Sequence, residues 1–79
     1  MHLEIISPEK VLFTGEVSRV KLPGTSGYFE LLNNHAPIVS TLKSGQIKVK
    51  GDDGTVSYYD IESGVIEAHK NLVSVLIEV

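Results

Sequence analysis

Short apolar runs separated by glycine and proline dominate the chain. Most runs are roughly five to eight residues long, which is the length of a strand rather than of a helix. The clearest alternation is in QIKVK (46–50), where Ile47 and Val49 share one face and Lys48 and Lys50 share the other. No segment has helical spacing with caps at its ends. The pattern predicts about eight or nine short strands in an all-β sandwich or barrel.

Two segments in the second half of the chain carry more specific predictions. The turn residues GDDG (51–54) join QIKVK to TVSYYDI (55–61). Aspartate and glycine tolerate the positive φ angles of tight turns, so a β-hairpin is predicted here. The last run, LVSVLIEV (72–79), is apolar at nearly every position. Runs of this kind are typical of central strands that are covered on both sides.

Composition and charge restrict the function classes. The 79 residues make one small domain with no cysteine to staple it, which favours a subunit that is supported by a partner. The 7 Lys and Arg against 10 Asp and Glu give a net charge of −3, and nucleic-acid binding is not expected without a basic stripe. No apolar run approaches the ~20 residues of a membrane-spanning helix, so we expect no direct membrane insertion.

The titratable residues do not form a local site. His2, His35 and His69 are more than thirty residues apart, so no metal-ligand spacing links them and no metal is expected. Asp52 and Asp53 are adjacent, but a calcium loop needs ligands at alternate positions and a distal glutamate. A turn is the better interpretation of the two aspartates.

The glycine-rich segment PGTSGYFE (23–30) is not predicted to bind nucleotide phosphates. A phosphate loop continues into Lys-Ser/Thr and opens a helix, and this segment does neither. Gly24 and Gly27 instead permit a tight loop with Thr25 and Ser26 at its exposed tip.

Two alternatives assign chemistry to single residues. EAHK (67–70) is similar to the EAMK of biotinyl domains, which predicts a biotinyl- or lipoyl-type carrier modified on Lys70, at a turn. Against it, His69 and Asn71 flank that lysine and only nine residues follow it. The other alternative is a small hydrolase, which needs a nucleophile and an orienting acid near His35.

Several short motifs follow one another in a specific order and spacing. They are Ser7-Pro8-Glu9, Gly15-Glu16-Val17, Pro23-Gly24, His35-Ala36-Pro37, Leu42 with Gly45, and Gly64. Each is weak alone. Together, over essentially the whole chain, they resemble the N-terminal domain of the epsilon subunit of F-type ATP synthase, the subunit called delta in mitochondria.

The resemblance implies a flattened antiparallel β-sandwich of about ten short strands over residues 1–79. It implies a non-catalytic subunit of the central stalk that joins the gamma subunit to the c-ring and couples ion translocation to ATP synthesis and hydrolysis. It also implies a peripheral position on the cytoplasmic side of a bacterial inner membrane, with no cofactor.

The same resemblance assigns contact residues to two partners. For the c-ring they are Thr25, Ser26, Tyr28, Asn33, Asn34 and His35. For the gamma subunit they are Ser7, Ser40, Thr41 and Leu42.

Two of the departures from the family pattern carry expectations. In Leu32-Asn33-Asn34-His35, Asn33 stands where relatives often have proline, and we expect an asparagine to adopt a turn conformation there. Family members usually continue into a C-terminal helical hairpin, which inhibits ATP hydrolysis and accompanies the nucleotide in those that bind ATP. The sequence stops at Val79, so we expect the hairpin to be absent and ATP not to be bound.

Overall fold

Eight strands and no helix make up the computed structural model, which describes residues 1–79. The strands are β1 (His2–Ile6), β2 (Val11–Gly24), β3 (Gly27–Leu32), β4 (Ile38–Leu42), β5 (Gly45–Gly51), β6 (Val56–Ile61), β7 (Ser63–His69) and β8 (Leu72–Glu78). The predicted all-β class is confirmed.

The strands form two layers, and β2 belongs to both of them. Its first half pairs with β1 in the layer β4-β7-β8-β1, which is called layer one here. Its second half lies between β3 and β5 in the layer β3-β2-β5-β6, which is called layer two. The register shifts between Val17 and Arg19, and a bulge of this kind lets a strand bend from one layer into the other.

The bend in β2 also explains part of the strand count. Residues 11–13 and 16–22, two segments that Gly15 separates in the sequence, form one strand of 14 residues, so the sandwich has eight strands, as the residue pattern predicts, rather than the roughly ten that the resemblance implies. All pairings are antiparallel except β1 with β8, which is parallel.

The core lies between the two layers and is built by alternation along each strand. Leu3 and Ile5 of layer one and Leu22 and Ile47 of layer two are fully buried. Strand β8 is central, as predicted, because it pairs with both β1 and β7. Its side chains nevertheless alternate between buried and exposed, so only one of its faces is covered.

The strands run between two ends, which position the surfaces described below. The groove end carries the β2–β3 turn beside the end of β4, where the Thr25 N–H donates to the Thr41 carbonyl at 3.2 Å. The N-terminal end carries Met1, the corner that follows β3, and the β7–β8 turn. There the Met1 ammonium donates to Asn33 Oδ1.

The predicted β5–β6 hairpin is confirmed. The Gly51 N–H donates to the Thr55 carbonyl at 2.8 Å, and Gly54 has a φ of 88°, which glycine adopts without strain. Asp53 Oδ1 accepts the Thr55 N–H at 2.9 Å. That backbone hydrogen bond, followed by one from the Thr55 side chain, holds the pKa of Asp53 below its ordinary value.

We expect Asp53 to make the stability of the domain depend on acid pH. Because its folded-state pKa is depressed, the ionised carboxylate stabilises the fold above the unfolded pKa of about 3.9, and this contribution is lost as the pH falls through the folded-state pKa. Titration of the Asp53 carboxyl by NMR should give a midpoint below about 3.9. In urea unfolding measured at several pH values, Asp53→Asn should remove this contribution to the pH dependence of the free energy of unfolding. An NMR titration midpoint at or above the ordinary value contradicts the prediction.

Candidate partner-binding surfaces

An open groove of about 630 Å³ lies at the groove end, on layer one. It is lined by Ile6, Ser7, Pro8, Thr41, Leu42, Ser63, Gly64, Val65, Leu76, Ile77 and Glu78. These residues come from β1, β4, β7, β8 and the segment after β1. The groove therefore depends on the pairing of the β7–β8 hairpin with β1 and β4, which are distant from it in sequence.

The groove continues into an exposed apolar row across layer one. Val65 is opposite Leu76 in the β7–β8 pair, and Leu76 is opposite Ile6 in the β8–β1 pair. Val65 is 44% exposed and Leu76 is 57% exposed. Contiguous exposed apolar side chains rimmed by polar residues mark protein–protein contact sites. This row is the strongest indication of a partner on the molecule.

Sequence reasoning missed these outward residues. The signal for them was present, because GVIEA (64–68) and LVSVLI (72–77) carry apolar residues on both alternating faces. The pattern was interpreted as a strand covered on both sides, whereas the outer side of layer one is uncovered in this chain.

Three of the four residues predicted to contact gamma come together in the groove. Ser7, Thr41 and Leu42 all line it. Ser40 does not line it, and its side chain lies on the side of β4 opposite to that of Thr41. The Ser40 hydroxyl instead donates to the Thr41 carbonyl at 3.1 Å.

The residues predicted to contact the c-ring fall into two groups. Thr25 and Ser26 form the β2–β3 turn at the groove end, where Thr25 Oγ1 lies 3.1 Å from Thr41 Oγ1. Asn33, Asn34 and His35 follow the opposite end of β3. Because β3 has six residues, the two groups are separated by roughly 17 Å of extended strand.

Tyr28, the remaining residue predicted to contact the c-ring, lies in β3 and contacts its neighbours in layer two. Its hydroxyl accepts the Gln46 N–H at 3.0 Å, and its ring lies 5.6 Å from Lys21 Nζ. A Cβ added to Gly45 would approach the Tyr28 hydroxyl at 2.7 Å, so the glycine permits this contact. The tyrosine remains 51% exposed and is available to a partner as well.

The Asn33–Asn34 pair is engaged within the chain. Asn33 Oδ1 accepts a hydrogen bond from the Met1 ammonium. The Asn34 N–H donates to Asn71 Oδ1 at 2.8 Å, and Asn71 Nδ2 donates back to Asn34 Oδ1 at 3.2 Å. Asn34 has a φ of 65°, so the expected turn conformation at this corner is confirmed. The pair ties the corner to the β7–β8 turn.

His35 has no catalytic neighbour. Its Nδ1–H donates to the Ala36 carbonyl at 2.9 Å, and its Nε2 is buried without a hydrogen-bond partner. A hydrolytic base needs a nucleophile within hydrogen-bond reach, so the geometry does not support the hydrolase alternative. No group of three or more His, Asp or Glu side chains converges anywhere in the structure.

Lys70 lies in the β7–β8 turn, as the carrier alternative requires. Lys70 and Asn71 have φ values of 52° and 60°, which is the pattern of a two-residue type I′ hairpin turn. The position of the lysine is therefore compatible with a carrier, and its position alone does not discriminate between the two interpretations.

All regular elements of the structure are strands, and none of it is a helix that could span a membrane.

Comparison with known proteins gives one consistent result. The family model described as "ATP synthase, Delta/Epsilon chain, beta-sandwich domain" matches residues 1–79. The ATP synthase epsilon chain of Caulobacter vibrioides is 38% identical over 78 residues, which is 99% of this chain and 90% of that protein. The epsilon chain of Chlorobium limicola is 37% identical over 96% of this chain and 86% of its own length.

Other relatives are longer. The epsilon chain of Leptospira borgpetersenii is 40% identical over 96% of this chain, which spans 59% of that protein. Among solved structures, a chain of the Euglena gracilis mitochondrial ATP synthase matches with a TM-score of 0.87 at 19% identity, over 95% of this chain and 48% of its own length. A chain of the Tetrahymena thermophila central stalk and c-ring assembly matches with a TM-score of 0.84 at 14% identity, over all of this chain and 63% of its own length. These two structures share the fold.

Proposed function

The chain belongs to the delta/epsilon family of ATP synthase β-sandwich domains, and on that premise we propose that it is a non-catalytic rotor subunit that joins gamma to the c-ring of an F-type ATP synthase. In this role it transmits rotation between the membrane sector and the catalytic head. It lies peripherally on the cytoplasmic side of a bacterial membrane. The observation that carries the proposal is the apolar groove, in which Ser7, Thr41 and Leu42 meet.

The groove has the chemistry of a stable protein interface. Val65 and Leu76 supply exposed apolar area at its centre, while Thr41, Ser63 and Glu78 add polar groups. Interfaces of this composition exclude water from an apolar centre and keep a polar rim. A rotor subunit must stay bound while it turns, and burial of these side chains against gamma provides the required adhesion.

Val65→Asp is expected to weaken binding to purified gamma by about tenfold or more, because it places a charge in the apolar centre of the interface. Isothermal titration calorimetry with the isolated gamma subunit measures the effect. Val56→Asp is the matched control, since Val56 is 43% exposed against 44% for Val65 and lies on a strand of the other layer. Unchanged affinity for the Val65 variant, or no binding of the unmodified chain at micromolar concentration, rejects the assignment.

For the c-ring we propose the β2–β3 turn as the contact. Thr25 and Ser26 are exposed there, and Tyr28 stands beside them. Asn33 and Asn34 hydrogen-bond Met1 and Asn71, which leaves fewer polar groups for a partner at the other end.

Single-cysteine cross-linking separates the two ends, because the chain has no cysteine of its own. Ser26→Cys is expected to cross-link to cysteines introduced in the polar loops of the c-ring in the assembled synthase, and His35→Cys is expected not to. The two positions lie at opposite ends of β3, beyond the reach of one short cross-linker. Cross-linking through His35→Cys alone would move the contact to the N-terminal end.

Nucleotide binding and carrier chemistry are not part of the proposal. The turn between Gly24 and Gly27 leads into strand β3, so it offers no helix N-terminus to a phosphate. The family model that covers the whole chain, including the turn at Lys70, is that of the ATP synthase domain.

A further inference from the structure

Four cations form a compact grid on the outer face of layer two. Arg19 of β2 is directly opposite Lys50 of β5, and Lys21 is directly opposite Lys48. All four side chains are exposed. Residues opposite one another in an antiparallel pair have Cβ atoms about 5 Å apart, and the two rows of the grid are about 7 Å apart along the strand.

Repulsion among these four cations lowers the free energy of unfolding of the isolated domain. Like charges directly opposite one another in a sheet are destabilising. One carboxylate relieves the grid in part, since Glu30 Oε2 lies 3.7 Å from Arg19 Nε. The chain has 10 acidic residues against 7 basic ones, yet four of the seven lie in this grid. Lys48 and Lys50 form no salt bridge, so the repulsion is offset only in part within the chain, and an uncompensated cost of this kind is typical of a functional surface.

Apolar side chains stand at three of the four row ends, and Glu30, which is opposite Lys21, stands at the fourth. Leu32 is opposite Arg19, and Val56 is opposite Lys50, so the first row reads apolar, cation, cation, apolar. Tyr58 is opposite Lys48 in the second row. Leu32, Val56 and Tyr58 are 48%, 43% and 55% exposed. The grid therefore combines charge with apolar area that a partner can cover.

The outer face of layer one has the opposite chemistry. Glu4 and Glu67 point outward there, and none of the strand residues on that face is Lys or Arg. The sandwich thus presents an acidic and apolar face on one side and a basic and apolar face on the other. One partner surface cannot complement both faces, so a partner of the cation grid would be distinct from the partner of the groove.

We propose that the outer face of β2 and β5 docks an acidic protein surface, with carboxylates about 5 to 7 Å apart and apolar side chains beside them. The partner's carboxylates lie between the two rows of the grid. There they remove the mutual repulsion of its four cations, Arg19, Lys21, Lys48 and Lys50. The apolar ends of the rows exclude water and strengthen those ion pairs. This contact goes beyond the gamma and c-ring contacts proposed above.

A protein surface fits the grid better than an anionic membrane does. Glu30 and Asp60 lie on the same face, so four cations and two carboxylates leave a net charge of about +2. Binding of juxtamembrane segments to anionic lipid uses clusters of about 4–8 cations, and fixed carboxylates among them repel the headgroups. Interleaved acids instead select one arrangement of charges on a protein partner.

The test uses the full chain and two synthetic helical peptides as probes. One peptide carries glutamates at i and i+4 with leucines beside them, which places carboxylates about 6 Å apart, and the other has glutamine in place of each glutamate. Binding is followed by amide NMR shifts. The expected result is perturbation confined to β2, β5 and β6 by the glutamate peptide, weakened severalfold by added salt, and none by the glutamine peptide.

The matched variants carry equal charge changes. Lys48→Glu with Lys50→Glu should weaken peptide binding at least about tenfold while raising the urea midpoint of unfolding, because each new carboxylate faces a cation on β2. Lys10→Glu with Lys43→Glu, in loops, should leave binding unchanged within a factor of about two. The gain in stability excludes unfolding as the cause of lost binding.

Several outcomes overturn the proposal. They are shifts outside layer two, equal binding of both peptides, and a grid variant that is destabilised or still binds. Preferential binding to vesicles of phosphatidylcholine with phosphatidylglycerol, lost in the grid variant, would assign the face to lipid and also reject it. The Val65→Asp variant should bind the glutamate peptide normally, so failure here and failure of the gamma assignment are distinguishable.

Discussion

Gly64→Ala is expected to destabilise the domain by about 3 kcal/mol, although it adds a single methyl group. An ideal Cβ at Gly64 would lie 2.7 Å from the Leu76 carbonyl oxygen, well inside van der Waals contact. Ile77 Cγ2 at 3.3 Å and Leu42 Cδ1 at 3.4 Å close the remaining space. The new methyl group therefore has no position that avoids moving a backbone.

The neighbouring strands prevent easy relief of this clash. The carbonyl belongs to β8, which is paired on both edges, with β7 and with β1. Relief requires β7 and β8 to separate beside the groove, which would weaken their hydrogen bonds and alter the surface proposed to bind gamma. For a domain of 79 residues with a total stability of roughly 4 to 12 kcal/mol, the loss is a large fraction.

Urea unfolding of purified protein measures this effect. Gly15→Ala is the control, because a Cβ there would lie 3.5 Å from the Phe13 ring, an ordinary contact. Its stability should change by no more than about 0.5 kcal/mol. If the two substitutions have equal effects, the close approach at Gly64 does not limit packing.

Ile66→Ala is expected to cost about 3 to 4 kcal/mol. Ile66 is fully buried in β7, opposite Ser40 of β4 and Val75 of β8. Truncation removes apolar contacts and leaves a cavity that the two fixed neighbouring strands cannot fill.

Val65→Ala, at the next residue, should change stability by less than about 1 kcal/mol because Val65 faces outward. The pair compares two adjacent apolar residues that the fold uses differently. Thermal or urea unfolding gives both values in one series. A large loss for Val65 with a small loss for Ile66 would mean that the register of β7 is inverted.

The two predictions separate the roles of β7 in this molecule. Its inward residues hold the layers together, and its outward residues form the surface proposed to bind gamma. The proposed rotor subunit needs both, because an interface on a weakly folded sheet would be lost whenever the sheet opened. Gly64 connects the two roles, since it lies against Leu76 of the outer row and Ile77 of the core.

Local sequence was informative wherever structure is decided by neighbours in the chain. The alternation in QIKVK correctly placed Ile47 and Val49 inside and their two lysines outside. The GDDG turn and the asparagine corner were also predicted, because glycine, aspartate and asparagine tolerate the φ angles of tight turns without help from the rest of the fold. The order of motifs identified the family, which the matching family model confirms.

Strand pairing decided what the local pattern left open. Sequence alone showed Lys48 and Lys50 on one face, but only the β2–β5 register places Arg19 and Lys21 directly against them. The same holds for the groove, where Ser7, Thr41 and Leu42 meet through strands that are distant in sequence. It holds also for the predicted c-ring residues, which β3 divides between two ends.

The physical reason is that a strand fixes the facing of its own side chains but not its neighbours. Alternation follows from backbone geometry at each residue, so Asn34 at its turn and Ile47 on its inward face were determined by the sequence itself. The partners of each strand are set by burial and hydrogen bonding across the whole sandwich. Only the tertiary structure therefore decided that Leu76 is exposed beside a groove and that His35, which began as a candidate base, has no group to act on.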